Sequence, residues 1–288
     1  MTQTHQHTPH HGESGHQEHS DGGQAEILDL DAEVLAEHIA SITAWLPLKS
    51  EPRQIVDLGC GTGAGTFALL ERFPDAHVTA VDTSAGHLRL LSEKACARRV
   101  EGRVRTVQAD LDTDDWPDLG TPDLVWASAS MHHMADPDRT LRSVRELLAS
   151  GGLFAVVELA GFPRFLPAHA PENRPGLEER AHAATDRFHA EHVPHRGADW
   201  GPMLTAAGFT VEDERTITVN IEGERSEAIG RYAYRSLQRI RGVAAPALSP
   251  EDLAALDELL DTNSPNGLLH RKDLAVRTER TVWAARRA

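Results

Sequence analysis

Short apolar segments alternate with stretches of helical apolar spacing through the first half of this chain. Five such segments, each of four or five residues, occupy positions 55–58, 78–81, 104–108, 124–127 and 153–157. Their length and composition are typical of β-strands. Between them apolar residues recur at helical spacing, and Ser84 and the pair Asp136-Pro137 are helix-start signals. Strands that alternate with helices predict an α/β fold with a doubly wound parallel sheet.

The second half of the chain combines closing strands with two inserted segments. The alternating residues 209–211 and 216–221 and the apolar residues 280–285 predict strands at the end of the sheet. Residues 161–199 hold five prolines around one predicted helix, and residues 224–270 hold two predicted helices. Both insertions follow strand ends or interrupt the closing strands, and such sheets bind ligands outside the carboxyl ends of their strands. We therefore expect the insertions to form a helical lid over the cleft.

The N-terminal segment has a composition unlike the rest of the chain. Residues 1–24 contain six histidines among Gly, Gln, Ser and Glu, with no apolar periodicity. Such a segment cannot bury enough apolar surface to offset its chain entropy. We predict a disordered His-rich tail over residues 1–26, one domain over residues 27–288, and a first helix over residues 31–46. Histidine-rich tracts can bind zinc, nickel or copper, but a solvated tail is the simpler interpretation.

Composition and charge narrow the class of protein. The 288 residues are 40% hydrophobic and 25% charged, a normal globular balance. A formal net charge of −15 argues against nucleic acid as the main partner. Two cysteines make a disulfide framework improbable and favour the reducing cytoplasm. We expect neither a membrane span nor a signal peptide, because no apolar run approaches the ~18–20 residues that a span requires.

The first predicted strand runs directly into a glycine-rich turn. Gly59, Gly61 and Gly63 alternate with small residues, and Asp57 lies two positions before the first glycine. Glycines at such a turn permit positive φ and let a ligand lie against bare backbone. Gly59, Gly61 and Ala64 also satisfy the dinucleotide fingerprint G-x-G-x-x-G/A. However, the carboxylate of Asp57 would face a pyrophosphate unfavourably, whereas it suits a cationic ammonium group.

This turn resembles motif I of the class I S-adenosylmethionine (SAM) dependent methyltransferases, and the chain is most similar to the small-molecule branch, of the methyltransferase type 11/12 kind. The resemblance covers residues 30–160 strongly and residues 200–288 by layout alone. It implies SAM as cofactor and S-adenosylhomocysteine as product, with Asp57 and the three glycines in contact with the cofactor. It also implies a Rossmann-like seven-stranded sheet that closes with an antiparallel C-terminal hairpin.

The resemblance also extends to residues at the ends of the next three strands. Asp82, with the adjoining Thr83, matches the acidic position that binds the ribose hydroxyls in this family. Asp110 and Leu111 match the position that contacts adenine, and the segment around Ser128 is expected to contact the methionine end of SAM. Asp82 alone would suit a nicotinamide cofactor equally well, because such enzymes also place an acidic residue there.

Three residues near the expected methyl acceptor are candidates for catalysis. His132 matches a histidine that many relatives carry, and His133 follows it. Histidine suits proton transfer near neutral pH, although its family role is often to line the pocket or fix a loop. Glu158 ends the fifth strand, where it could bind a cationic acceptor, act as a base, or cap Gly161 and its loop. The sequence does not choose among these roles.

A histidine-bearing helix face lies in the first insertion. His182, Asp186 and His189 are spaced so that they share one face of the predicted helix, and His192 and His195 follow. Such a face could chelate a divalent metal, but a polar face of a lid helix is the favoured interpretation. We therefore predict no metal site.

These features favour a SAM-dependent methyltransferase that acts on a small organic acceptor by in-line displacement. O-methylation is the first choice, with N- and C-methylation open. Residues 127–130 read Ala-Ser-Ala-Ser, unlike the Asn/Asp-Pro-Pro-Tyr/Phe motif of enzymes that methylate amino groups and nucleic bases. Two alternatives are an NAD-dependent oxidoreductase and a non-catalytic protein of the same fold with a metal-binding tail.

Overall fold

The fold is organised around one seven-stranded sheet. The computed structural model describes residues 14–222 and 227–288. Within them the strand order is β3-β2-β1-β4-β5-β7-β6, and all pairings are parallel except those of β7 with β5 and β6. The strands are β1 (Gln54–Leu58), β2 (His77–Asp82), β3 (Val104–Gln108), β4 (Leu124–Ser128), β5 (Leu153–Leu159), β6 (Phe209–Glu222) and β7 (Ala275–Arg287).

Helices cover the two faces and the carboxyl edge of the sheet. They are α1 (Ser14–Val34), α2 (Ala36–Trp45), α3 (Ala64–Arg72), α4 (Ala85–Ala97), α5 (Pro137–Leu147), α6 (Leu177–His192), α7 (Trp200–Ala206), α8 (Glu227–Ala244) and α9 (Pro250–Leu260). The predicted caps are present, since the side chain of Ser84 accepts from the amide of His87 and that of Asp136 from the amide of Arg139. No helix within the described ranges has the length and hydropathy needed to cross a bilayer.

The central strands are apolar because both of their faces are covered. The four residues of β1 after Gln54 are buried, and β4 and β5 are buried along most of their length. β1 and β4 are parallel neighbours, and the chain order of the strands runs in opposite directions on the two sides of this pair. That reversal opens a crevice at the carboxyl ends of the strands, the usual ligand site of doubly wound sheets.

The closing hairpin has the predicted antiparallel arrangement but longer strands. β6 runs without interruption from Phe209 to Glu222, with a register shift between Val211 and Asp213. The two segments predicted at residues 209–211 and 216–221 are therefore one strand. Its exposed polar residues hide the continuity, because β6 is the edge of the sheet and faces solvent along much of its length.

The segment predicted as a disordered tail overlaps α1, which includes residues 14–26; residues 1–13 lie outside the described residues. Ala25 and Leu30 are buried, and Glu26 forms ion pairs with Arg231 (2.9 Å) and Arg235 (2.7 Å) of α8. A partner distant in sequence thus stabilises a helix whose own sequence is mostly polar. The helix predicted over residues 31–46 is instead divided, with Leu35 between α1 and α2.

The inserted segments form a third core next to the sheet. Buried residues of α1, α6, α8 and α9 pack against one another and against the inner parts of β6 and β7. Two other cores lie on the two faces of the sheet. Residues of α1 line the wall of the crevice at the carboxyl ends of the strands, whereas none of the described residues that line it belongs to the two insertions. The lid therefore stays a prediction.

Candidate active site

The glycine turn after β1 depends on the absence of side chains. Gly59 and Gly61 both have positive φ, +67° and +52°. A Cβ on Gly59 would come within 2.4 Å of the Cβ of Ser130, a residue of the loop after β4. The turn therefore brings its backbone against that loop, and it leaves a surface without side chains at the start of α3.

Asp82 joins the glycine turn to the end of β2. Its Oδ2 accepts a hydrogen bond from the amide of Gly61 (2.8 Å), and its Oδ1 accepts one from the amide of Ser84 (2.8 Å). The Nδ1 of His87 lies 3.4 Å from Oδ1. Burial acts to raise the pKa of Asp82, but the hydrogen bonds from these three residues outweigh it and lower the pKa below its ordinary value. The carboxylate is therefore ionised and fixed.

Asp57 is a buried carboxylate beneath the glycine turn. Its side chain is 2% exposed, and its Oδ2 accepts a hydrogen bond from the hydroxyl of Thr66 (2.6 Å). The pKa of Asp57 is raised to about 7, mainly by burial; the hydrogen bond from Thr66 opposes this rise and the charge of Asp82 contributes to it. A cation bound next to this group would favour its ionised form. The site thus suits a positively charged group of a ligand.

A cavity of about 360 Å³ lies over the turn. It has the size of a small-molecule site. The sequence-predicted residues that line it are Asp57, Gly59, Gly61, Asp82, Thr83, Asp110, Leu111, Ser128 and His133. Gly63 does not line it; a Cβ there would meet Phe67 at 2.7 Å and Leu91 at 3.0 Å, so this glycine permits helix packing.

The two walls of the cavity differ in character. On the β3 side, Leu111 is buried and Asp110 forms a turn in which its Oδ1 accepts from the amide of Asp112 (2.9 Å). On the β4 side, Ala129 has a φ of +52°, an unusual value for a residue with a side chain, and its amide donates to the carbonyl of Val157 (2.8 Å). Backbone held in such a conformation is commonly found at ligand sites.

His132 and Glu158 form a buried pair behind the cavity. The Nδ1 of His132 lies 2.6 Å from Oε2 of Glu158, and neither side chain is more than 7% exposed. The Oε1 of Glu158 also accepts from the amides of Met131 (2.8 Å) and His132 (3.3 Å). Glu158 therefore fixes a loop, which is one of the roles considered for it. The loop is the turn at residues 131–133, however, and not the one at Gly161. Neither partner of the pair lines the cavity.

His133 lies in the cavity wall and contacts His132, with ring centroids 4.2 Å apart. Burial is the main cause that lowers its pKa, to about 4, and the charges of His132, Arg239 and Arg196 act in the same direction against that of Glu158. His133 is therefore neutral at physiological pH and is a weak base.

Sequence reasoning missed the residues that close the cavity from above. Gln24, Leu28 and Asp31 of α1 and Arg280 of β7 all line it. The Nη2 of Arg280 donates to both oxygens of Asp31 (2.7 Å each), and the hydroxyl of Tyr232 donates to the same carboxylate (2.6 Å). The sequence did contain one signal for this pair, namely Arg280 within the apolar closing strand. A buried arginine needs a charged or polar partner, so its presence there predicts one.

The histidine-bearing face of α6 lies away from this cavity. Within residues 14–222 and 227–288, no three His, Cys, Asp or Glu side chains converge as metal ligands. Instead, the rings of His182 and His189 face Phe162, at centroid distances of 6.4 and 5.2 Å.

Comparison with known proteins gives one consistent family. A family model described as a methyltransferase domain matches residues 56–154. The trans-aconitate 2-methyltransferase of Acidovorax sp. (strain JS42) is 41% identical over 105 residues, 36% of this chain and 38% of that protein. The protein of the same name from Methylobacterium nodulans is 32% identical over 228 residues, 77% of this chain and 79% of that protein.

A solved structure shares the fold. The YcgJ protein from Bacillus subtilis superposes with a TM-score of 0.52 at 19% identity, covering 88% of this chain and 99% of that one. The chain spans under two fifths of the length of the Acidovorax relative that it matches. The alignment with the Methylobacterium relative is longer and covers more than three quarters of both chains.

Proposed function

Because this chain belongs to the class I SAM-dependent methyltransferases, we propose that it methylates a carboxylate oxygen of a small organic acid. The cofactor SAM, when bound, supplies a methyl group activated by a sulfonium and leaves as S-adenosylhomocysteine. The relatives named above take their name from trans-aconitate, an organic acid. This supports the acceptor class without identifying the acceptor of this chain.

The residues of the cavity fit the cofactor. Asp57 provides a buried negative charge for its ammonium group, and the ionised, fixed carboxylate of Asp82 suits the two ribose hydroxyls. The exposed carboxylate of Asp110 and the buried side chain of Leu111 suit the adenine ring. Ser128 and the strained segment after it would hold the methionine end. The contacts of Asp57 and Asp82 described above support these assignments.

The observation that carries the acceptor class is a concentration of arginines on the β7 side of the cleft. Arg280 lines the cavity, and Arg239 donates a hydrogen bond to Gln24, another residue of its wall. Beyond the effect of burial, the charges of Arg196 and Arg239 lower the pKa of His133. Arg280 is already paired with Asp31, so Arg239 and Arg196 are the arginines of this group that form no ion pair among the described residues. Their charges would attract an anion although the chain as a whole has a net charge of −15.

A carboxylate acceptor needs no general base. It is already ionised near neutral pH, so the protein has only to orient one oxygen in line with the methyl group and exclude water. This agrees with the two histidines proposed for catalysis: His133 is a weak base, and His132 directs its Nδ1 to Glu158. The family assignment argues against an NAD-dependent oxidoreductase, and a non-catalytic protein is distinguished by the assay below.

The pair of His132 and Glu158 favours a second candidate function, the O-methylation of an alcohol or phenol. A carboxylate on Nδ1 of a histidine fixes the tautomer in which the other ring nitrogen can accept a proton, as in hydrolase triads. The burial of His132 and its absence from the cavity wall make this candidate secondary.

The test uses SAM with a tritiated methyl group and a panel of butyrate, succinate, trans-aconitate and a phenol. Methyl esters release volatile methanol in alkali, whereas ethers, methylamines and C-methyl products do not. We expect alkali-labile label with at least one acid, lost in Asp82→Asn. Alkali-stable label would overturn the carboxylate acceptor, and binding of SAM without transfer to any compound would favour a non-catalytic role.

A further inference from the structure

A second cavity, of about 840 Å³, shares no lining residue with the first. It lies between the loop after β5, helix α6 and the inner parts of β6 and β7. Thr278 lines this cavity and Arg280 lines the first, and both belong to the buried face of β7. Two residues along a strand span roughly 7 Å. The linings of the two cavities therefore approach each other along β7 to within the length of a molecule of a few carbons.

The second cavity contains a guanidinium group without a partner. Both Nη atoms of Arg196 are buried, and neither has a hydrogen-bond partner among the described residues. Its Cζ lies 3.4 Å from the centroid of the Phe162 ring, which holds the guanidinium plane in place. A buried cation without hydrogen bonds is costly, so its retention indicates a ligand that supplies the acceptors.

Two further polar atoms in the same wall are equally unsatisfied. The Nε2 of His182 and the hydroxyl of Thr278 are buried, in side chains that are 2% and 8% exposed. The oxygen of Glu178 nearest to this Nε2 is 3.9 Å away, too far for a hydrogen bond. Arg196, His182 and Thr278 thus present potential donors to one cavity, and each lacks a partner within the described part of the chain.

The other charged groups in this wall are already engaged, with one exception. Arg164 pairs with Glu179 (3.1 Å), Arg277 donates to the carbonyl of Leu166, and Glu279 accepts from Thr218 (3.1 Å). The exception is Asp186, which forms no ion pair with Arg196 but whose negative charge acts to raise the pKa of that guanidinium.

We propose that this second cavity binds a distal carboxylate of the methyl acceptor, through Arg196, Thr278 and His182. The inference rests on the proposed function and adds that the acceptor carries at least two carboxylates. One lies near Arg280 for methylation, and the other pairs with the guanidinium of Arg196. An acceptor with a single carboxylate would leave the buried donors unsatisfied, and the enzyme would discriminate against it for that reason.

The test measures binding by titration calorimetry with trans-aconitate and with butyrate, in the absence of SAM. Hydrogen bonds to charged groups are worth about 1.5–3 kcal/mol, or roughly 10- to 150-fold in affinity. We expect Arg196→Gln to weaken trans-aconitate binding by at least tenfold and butyrate binding much less, with S-adenosylhomocysteine binding unchanged. Arg187→Gln, an exposed arginine of α6 outside both cavities, is the matched control and leaves all three unchanged.

Further variants keep the test independent of folding. Thr278→Val preserves shape and removes one hydroxyl, with an expected loss of two- to tenfold, and Thr216→Val on the exposed edge strand is its control. Asp186→Asn removes the competing negative charge and should tighten trans-aconitate binding. Equal binding of trans-aconitate by Arg196→Gln, Thr278→Val and wild type would overturn the subsite.

Transfer assays separate this inference from the proposed function. Alkali-labile methylation of several acids with no preference for di- or tricarboxylates would overturn the subsite and leave the proposed function standing. Binding of trans-aconitate that depends on Arg196, without methylation of any acid, would also overturn the acceptor subsite, and it would make the cavity a separate anion site. A preference for polycarboxylates that Arg196→Gln abolishes would support both.

Discussion

Replacement of Glu158 by glutamine separates a positioning role from a proton-transfer role in the buried pair with His132. Glu158 accepts three hydrogen bonds, from the amides of Met131 and His132 and from the ring of His132. The carbonyl oxygen of glutamine can keep the first two. Its amide group can donate to Nδ1 of His132 if the ring proton moves to Nε2. The number of hydrogen bonds is then unchanged, although none is charge-assisted.

The expected cost to stability is therefore small. The change from charge-assisted to neutral hydrogen bonds should lower the free energy of unfolding of Glu158→Gln by about 0.5–2 kcal/mol. Glu158→Ala instead leaves two buried amides without acceptors and opens a cavity, and it should cost roughly 3–5 kcal/mol. Thermal and urea unfolding of both variants measure these differences, and Glu214→Gln at an exposed position serves as control.

The kinetic outcome decides the role of the pair. If the acceptor is a carboxylate, Glu158→Gln should change kcat by less than about threefold, and kcat should stay flat between roughly pH 6 and pH 9. General-base catalysis contributes about 10²- to 10⁴-fold. A loss of a hundredfold or more, with unchanged binding of S-adenosylhomocysteine and native unfolding behaviour, would contradict our account and favour methylation of an alcohol or phenol.

Three further predictions concern the cofactor cavity. Gly59→Ala should abolish measurable S-adenosylhomocysteine binding and lower the free energy of unfolding in urea by about 2–4 kcal/mol, because the new Cβ would meet Ser130 at 2.4 Å. The control is Gly120→Ala, also at positive φ but with open space around it, which should lower that free energy by only about 1 kcal/mol. The pKa of Asp57 in the folded protein is raised from 3.8 to about 7, so its contribution to the stability of the ligand-free protein falls as pH rises between these values. The difference in unfolding free energy between wild type and Asp57→Asn should therefore decrease from pH 4 to pH 8, and a difference that is independent of pH would contradict the assignment. Leu28→Ala in α1 should weaken S-adenosylhomocysteine binding several-fold in calorimetry, because this side chain covers the glycine turn, and unchanged affinity would place α1 outside the binding site.

The order of elements in the sheet could be predicted from local pattern. Strands β1, β2, β4 and β5 are short and mostly apolar, and β3 alternates apolar and polar residues. Helices lie between consecutive strands except between β3 and β4, and each signal lies within a few residues of the element it specifies. The antiparallel hairpin was implied by resemblance alone, because the chain between β6 and β7 contains two helices that hide their pairing. Helix α1 could not be predicted, since its stabilising contacts with α8 come from residues about two hundred positions away.

The candidate site divides in the same way. The sequence by itself determined the glycine turn and the acidic residues at the ends of β1, β2 and β3, because backbone conformation and strand ends are local properties. Only the tertiary structure decided that Glu158 is bound to His132, that Arg280 pairs with Asp31, and that the Nη atoms of Arg196 have no hydrogen-bond partner among the described residues. Whether a charged group is satisfied depends on residues that folding brings together from distant segments, and burial then sets how much that partnership matters.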